Sequence, residues 1–157
     1  MLIKIIENDI RNSNSQVIIH QVNCKTIGSG VAKALCDKWI IIKEKHKYAC
    51  EMAKKNNESN LGKIQVVKVT DTQKVINMFS QDNYGYDGKM YTSYDAVNTC
   101  LGKVKDYCVK NGYKSIALPY KMCCCRGGAN WDVIMAMIKA NFEDTDILIE
   151  IWKLDND

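Results

Sequence analysis

Two stretches of this chain carry glycines where an apolar run gives way to a helical pattern, an arrangement that leaves backbone amides free to hold an anion. The first is Asn23-Cys24-Lys25-Thr26-Ile27-Gly28-Ser29-Gly30-Val31-Ala32. Glycines one residue apart let the backbone approach a ligand closely. A helix starting beside them offers unpaired N–H groups and the positive end of its dipole. In physical terms that is a phosphate cradle. It is not a P-loop, because no Gly-Lys-Ser/Thr follows, and it is not a full GxGxxG. Alone it fits a tight unliganded turn equally well. The second stretch, Pro119-Tyr120-Lys121-Met122-Cys123-Cys124-Cys125-Arg126-Gly127-Gly128-Ala129-Asn130-Trp131, repeats the design and adds an arginine able to pair with phosphate. Together the two loops point to a diphosphate. A third stretch, Ser80-Gln81-Asp82-Asn83-Tyr84-Gly85-Tyr86-Asp87-Gly88-Lys89, is a long polar and aromatic loop, of a kind more often functional than a plain connector.

The remaining reactive side chains add less. Eight cysteines in a secreted chain would suggest a disulfide framework, but the first fifteen residues alternate apolar with polar and lack a secretory core. Cys123, Cys124 and Cys125 are contiguous and no CxxC pair exists, so neither disulfides nor zinc is expected. A thiol at a helix start beside Arg126 would be a candidate nucleophile. A cysteine phosphatase cradle needs five residues between Cys and Arg, whereas Cys125 and Arg126 are adjacent, so the triplet reads as drift in a loop. His20 lies within an apolar strand, where a satisfied core histidine is the ordinary outcome. The lysines between Lys33 and Lys55 alternate with Asp37, Glu44 and Glu51 and read as a solvated helix face, so nucleic-acid binding is not the expected role.

The elements that position these loops follow from periodicity. Residues 2–6 and 17–23 read as strands, the second nearly continuously apolar, as in a strand covered on both faces. A helix is expected over residues 31–55 and a hairpin over 64–69 and 74–79. A second helix spans 93–110 with Asn111-Gly112 as its stop. A strand over 114–119, a helix over 130–142 and a closing strand over 146–154 complete the chain. This β-β-α-β-β-α-β-α-β order implies an α/β domain with helices on both faces of a mixed sheet. The length of 157 residues suits one domain, residues 1–157, that buries roughly 70% of its unfolded surface. With 46% hydrophobic and 25% charged residues, and no apolar run near the roughly 20 residues that span a bilayer, a cytoplasmic monomer without membrane contact is expected.

With these loops in place, the sequence resembles a macrodomain, the ADP-ribose-binding α/β/α module. The nearest branch includes phage and bacterial ADP-ribose 1''-phosphate phosphatase-like proteins and terminal ADP-ribose protein glycohydrolases. The resemblance runs from Asn8-Asp9-Ile10 to the last strand and is carried by His20-Gln21-Val22-Asn23-Cys24, Gly28-Ser29-Gly30-Val31-Ala32, Gln81-Asp82 through Gly88-Lys89, and Pro119-Tyr120-Lys121 with Arg126-Gly127-Gly128 before Trp131. It implies a three-layer α/β/α fold with a mixed six-stranded sheet, and no metal or cofactor. It also implies roles. Asp9 would accept from the adenine amino group with Ile10 beside it, although it can equally cap a turn. Asn23 would face the distal ribose. Thr26, Ile27, Gly28, Ser29, Gly30, Val31 and Ala32 would wrap that ribose and one phosphate. Lys121, Met122, Cys123, Cys124, Cys125, Arg126, Gly127 and Gly128 would close over the diphosphate, with Gln81 and Asn130 at its edge. Asn23, His20 and Asp82 would be the residues nearest the chemistry.

The chain departs from that pattern at three places. The branch commonly reads Ile-Gly-Cys-Gly where Met122-Cys123-Cys124-Cys125 stands, so side chains replace two glycines and threaten either to constrict the loop or to force its backbone off positive φ. Gly-Asp before the tryptophan is here Ala129-Asn130, and a neutral amide cannot act as acid or base. The glycohydrolase lysine aligns with Gln81, which cannot form a Schiff-type adduct. The function expected is therefore binding of ADP-ribose with hydrolysis of ADP-ribose 1''-phosphate. The alternatives are a reader of free or macromolecule-linked ADP-ribose and a de-ADP-ribosylating hydrolase.

Overall fold

In a computed structural model, which describes residues 1–154, the order of elements is β1 (Leu2–Glu7), one turn of 3-10 helix (Ile10–Asn12), β2 (Val17–Asn23), α1 (Gly30–Lys38), α2 (Ile40–Lys55), β3 (Ile64–Lys68), β4 (Lys74–Gln81), α3 (Tyr94–Asn111), β5 (Ser115–Pro119), α4 (Trp131–Phe142) and β6 (Leu148–Lys153). The six strands form one mixed sheet in the order β1-β6-β5-β2-β4-β3, all neighbours parallel except the antiparallel β3–β4 pair. β2 lies inside the sheet, which explains its apolar run: Val17, Ile18 and Ile19 are fully buried because both faces are covered. Val17 and Ile19 of β2 pack with α3 and α4 around Val97, Leu101, Val104, Ile134 and Ile138. Ile18 and Val22 pack on the other face with Leu35 and Cys36 of α1 and Ile42 of α2. The result is the three-layer α/β/α architecture that the sequence implies.

The single helix expected over residues 31–55 is two helices. The chain breaks at Trp39, whose backbone is extended (φ −133°, ψ 91°) and whose ring packs partly buried against the α1–α2 core. The other ends follow local chemistry. Ser93 caps α3 by accepting from the Ala96 amide, and Gly112 ends it in the left-handed conformation at φ 70°. No helix among the described residues is long and apolar enough to cross a membrane.

Candidate functional site

Parallel β2, β4 and β5 end on the same edge of the sheet, so the loops that follow them meet there, as ligand-binding loops do in open α/β sheets. They enclose a cavity of about 310 Å³ whose wall is made by residues 20–23, 26–32, 81, 84–86 and 119–127. The size is that of a small-molecule site. Of the residues singled out from the sequence, His20, Asn23, all of residues 26–32, Gln81, and residues 121–127 line it. A register shift between Val22 and Asn23 sets Asn23 opposite Gln81 of β4. The Asn23 Oδ1 then accepts from the Lys25 and Thr26 amides, both at 2.8 Å, which fixes the loop and turns its Nδ2 the other way. The backbone carbonyl of Asn23 accepts from His46 of α2 (2.7 Å), a ring that stacks on Phe79 and is kept neutral by burial.

The Cys123–Cys125 loop keeps the conformation that its sequence threatened. Cys123 holds φ 73° and Lys121 φ 55°, both in the left-handed region, so the cysteine replaces glycine without moving the backbone out of it. The loop is over-determined. The Cys123 carbonyl accepts from the Thr92 hydroxyl and from the Ala129 amide, both at 3.0 Å, while the Gly127 carbonyl accepts from the Tyr91 and Thr92 amides at 2.9 Å. Gly127 has no room for a side chain: a Cβ there would strike Thr92 Oγ1 and the Cys123 carbonyl. Arg126 reaches across the cavity mouth, donating to Ser29 Oγ and, at 3.2 Å, to Tyr86 Oη. Three loops are thus joined by one guanidinium.

Burial pushes Cys24 and Cys124 up to about 11 and raises Cys123 further in the same direction. Among the described residues no carboxylate lines the cavity, and no cluster of His, Cys, Asp or Glu is placed to hold a metal.

Five of the residues singled out lie outside the cavity wall. Asp82 is exposed, and its backbone carbonyl accepts from the Cys24 amide at 3.1 Å. Asp9 caps the 3-10 turn and forms a two-pronged pair with Arg11, whose hydrogen bonds hold the carboxyl below its usual range. Ile10 is buried in the α1–α2 core. Gly128 turns the chain at φ 73°. Asn130 caps α4, its Oδ1 accepting from the Asp132 and Val133 amides, and lines a second, shallower depression with Lys121, Cys124, Cys125 and Trp131. Conversely, Gln21, Val22, Tyr84, Gly85, Tyr86, Pro119 and Tyr120 line the main cavity without having been singled out. The signal for the two tyrosines was present in the aromatic composition of residues 80–89.

Against solved structures, the fold matches the macrodomain of Mycobacterium tuberculosis DarG with a TM-score of 0.81 at 18% identity, over 96% of this chain and 97% of that one. The chain has the macrodomain fold. A Bacteroides thetaiotaomicron protein of unknown function matches with a TM-score of 0.81 at 27% identity over 98% of each chain. Thermosipho africanus DarTG, solved in complex with ADP-ribose, gives a TM-score of 0.77 at 18% identity; it covers 99% of this chain and 42% of that longer one. Among curated proteins, human ADP-ribose glycohydrolase OARD1 is 32% identical over 62 residues, 40% of either chain, so the match spans less than half of that relative. No family model matches the sequence.

Proposed function

We propose that this macrodomain binds ADP-ribose in the main cavity and hydrolyses ADP-ribose 1''-phosphate to ADP-ribose and phosphate. The observation that carries the binding half is the meeting of two strand-to-helix loops, 26–32 and 121–127, as walls of one cavity of ligand size, bridged by Arg126 and Ser29. Each wall offers backbone amides, and Arg126 adds a cation, which suits a diphosphate. The fold shared with an ADP-ribose complex supports the same ligand.

For turnover, water attacks phosphorus, the bond between phosphorus and the oxygen on C1'' breaks, phosphate departs, and that oxygen takes up the proton the attacking water gives up, becoming the new hydroxyl. The protein contributes mainly by positioning and by fixed dipoles that stabilise phosphate charge. Asn23 is the side chain to orient the reacting end, because its oxygen is already committed to the loop and its Nδ2 has no partner among the described residues. With Asp82 outside the wall and no carboxylate of the described residues within it, His20 and the phosphate itself are the proton acceptors. The absence of a lining carboxylate among the described residues is also the observation that favours the second reading, a domain that holds ADP-ribose without turning it over.

A 31P NMR titration with ADP-ribose 1''-phosphate separates the two. Perturbed diphosphate resonances followed by growth of inorganic phosphate, lost in Asn23→Ala, are the expected result. Perturbation without phosphate release leaves the reader function, and unperturbed resonances overturn both.

A further inference from the structure

Beneath the cavity a line of polar side chains crosses three strands. The Gln65 Nε2 of β3 donates to the Lys45 carbonyl of α2 at 2.8 Å. The Gln65 Oε1 accepts from the Asn77 Nδ2 of β4 at 3.0 Å. The Asn77 Oδ1 then meets His20 Nε2 of β2 at 2.6 Å. The direction of every bond in this chain is fixed from one end. A backbone carbonyl can only accept, so the amide nitrogen of Gln65 must face Lys45 and its oxygen must face Asn77. Asn77 must present nitrogen to Gln65 and therefore oxygen to His20. His20 must answer with a proton on Nε2. The other ring nitrogen, Nδ1, is left as a lone pair. It is the one buried side-chain nitrogen or oxygen among the described residues with no hydrogen-bond partner, and His20 is part of the cavity wall. A buried acceptor without a donor is costly, and native proteins rarely leave one unmatched.

We infer that Asn77 and Gln65 are positioning residues that lock His20 in its Nε2–H form, so that Nδ1 accepts a hydrogen bond from a hydroxyl of the bound ligand. Resting on the ADP-ribose reading of the cavity, this assigns that site a preference for a ligand whose buried end carries a free hydroxyl donor, as the ribose hydroxyls of ADP-ribose and of its 1''-phosphate do. It also gives His20 one role at neutral pH, as acceptor and not as acid. Burial agrees, since it pushes the ring down to about 4 and keeps it neutral. Gln65 acts at a distance: it touches neither His20 nor the cavity wall, and its effect passes through the orientation of the Asn77 amide.

The chain has only two histidines, so a two-bond 1H–15N correlation spectrum of ring-labelled protein resolves both, with His20→Gln assigning the pair. The free protein is expected to show His20 protonated on Nε2, and saturation with ADP-ribose is expected to shift the Nδ1 resonance in the direction of hydrogen-bond acceptance. Gln65→Met frees Asn77 to flip. It should move the His20 proton in part or wholly to Nδ1 and weaken ADP-ribose binding roughly tenfold, the worth of about one hydrogen bond. A structural role for Gln65 would lower stability without changing the tautomer. An Nδ1–H tautomer in the unmutated protein overturns the relay. An unchanged Nδ1 resonance with ADP-ribose bound, as read by calorimetry, overturns its role toward the ligand. No binding of ADP-ribose at all overturns the reading of the cavity and the ligand half of this inference with it, while the tautomer of the free protein still decides the relay.

Discussion

Gly30 separates backbone strain from ligand electrostatics. It begins α1 at φ 68°, and a Cβ built there meets nothing within 4 Å. Substitution therefore costs conformational strain without a clash, about 1–2 kcal/mol for an L-residue held in the left-handed region. For a chain of this size that is a fall in Tm of about 2–8 °C. Gly30→Ala and Gly30→Glu should share this loss, because both add the same Cβ. Their binding should not agree. A glutamate in the wall beside a bound phosphate opposes it by about 4 kcal/mol for unit charges about 4 Å apart at an effective dielectric near 20, close to three orders of magnitude in Kd. Gly30→Ala should bind within about tenfold of the unmutated protein, since a methyl in open space removes no donor. The assay is calorimetric titration with ADP-ribose at low and high salt, alongside thermal unfolding. The gap between the two variants should narrow as salt rises. Equal affinities in the two, with matched Tm, would refute the placement of the diphosphate at this loop.

Three further outcomes follow from side chains whose surroundings are fixed. His20 is neutral in the fold with its pKa lowered from 6.5 to about 4, so the unfolded chain takes up a proton that the fold refuses. Stability from this group is complete above pH 6.5 and is lost as pH falls toward 4, on the order of 3 kcal/mol; unfolding of His20→Leu followed across this range should show a shallower pH slope, and an identical slope would remove the assignment. Lys121 is exposed at φ 55°, so Lys121→Gly should relieve strain and raise stability by roughly 0.5–1 kcal/mol after the added freedom of the unfolded chain; denaturant midpoints test this, and a lowered midpoint contradicts it. Cys125 is the exposed thiol of the eight and lines the main cavity. Brief treatment with iodoacetamide should modify it first, as mapped by mass spectrometry, and should weaken ADP-ribose binding, whereas prior labelling of Cys36 or Cys108 would contradict the burial assigned to them.

The layers of this fold were legible because burial on both faces forces long apolar strands, as in Val17-Ile18-Ile19, and because Ser93 and Gly112 bracket α3 with the residues that caps require. The break at Trp39 was not. Leu35, Ile42, His46 and Ala49 lie at spacings of seven, four and three, so the apolar stripe stays in phase through the break and no glycine or proline marks it. Strand order was hidden for a different reason: pairing is a tertiary fact, and β6 reaches its place between β1 and β5 by contacts far apart in sequence. At the site, the two glycine-bearing loops announced themselves by composition. Asp9 shows the limit of that reasoning, since the partner that occupies its carboxylate, Arg11, is two residues away and no pattern of composition or spacing marks the pair. Cys123 shows another. A cysteine keeps a glycine's backbone geometry because Thr92, Ala129 and Gly127 fix the loop from outside it, and none of those bonds is visible in the local sequence.

The most direct test of the account is calorimetric titration of the unmutated protein with ADP-ribose. A saturable single-site isotherm with Kd on the order of micromolar, about −8 kcal/mol, abolished by Gly30→Glu, is the predicted result. Absence of binding at millimolar ADP-ribose would contradict it and leave the resemblance to ADP-ribose-binding macrodomains as one of fold.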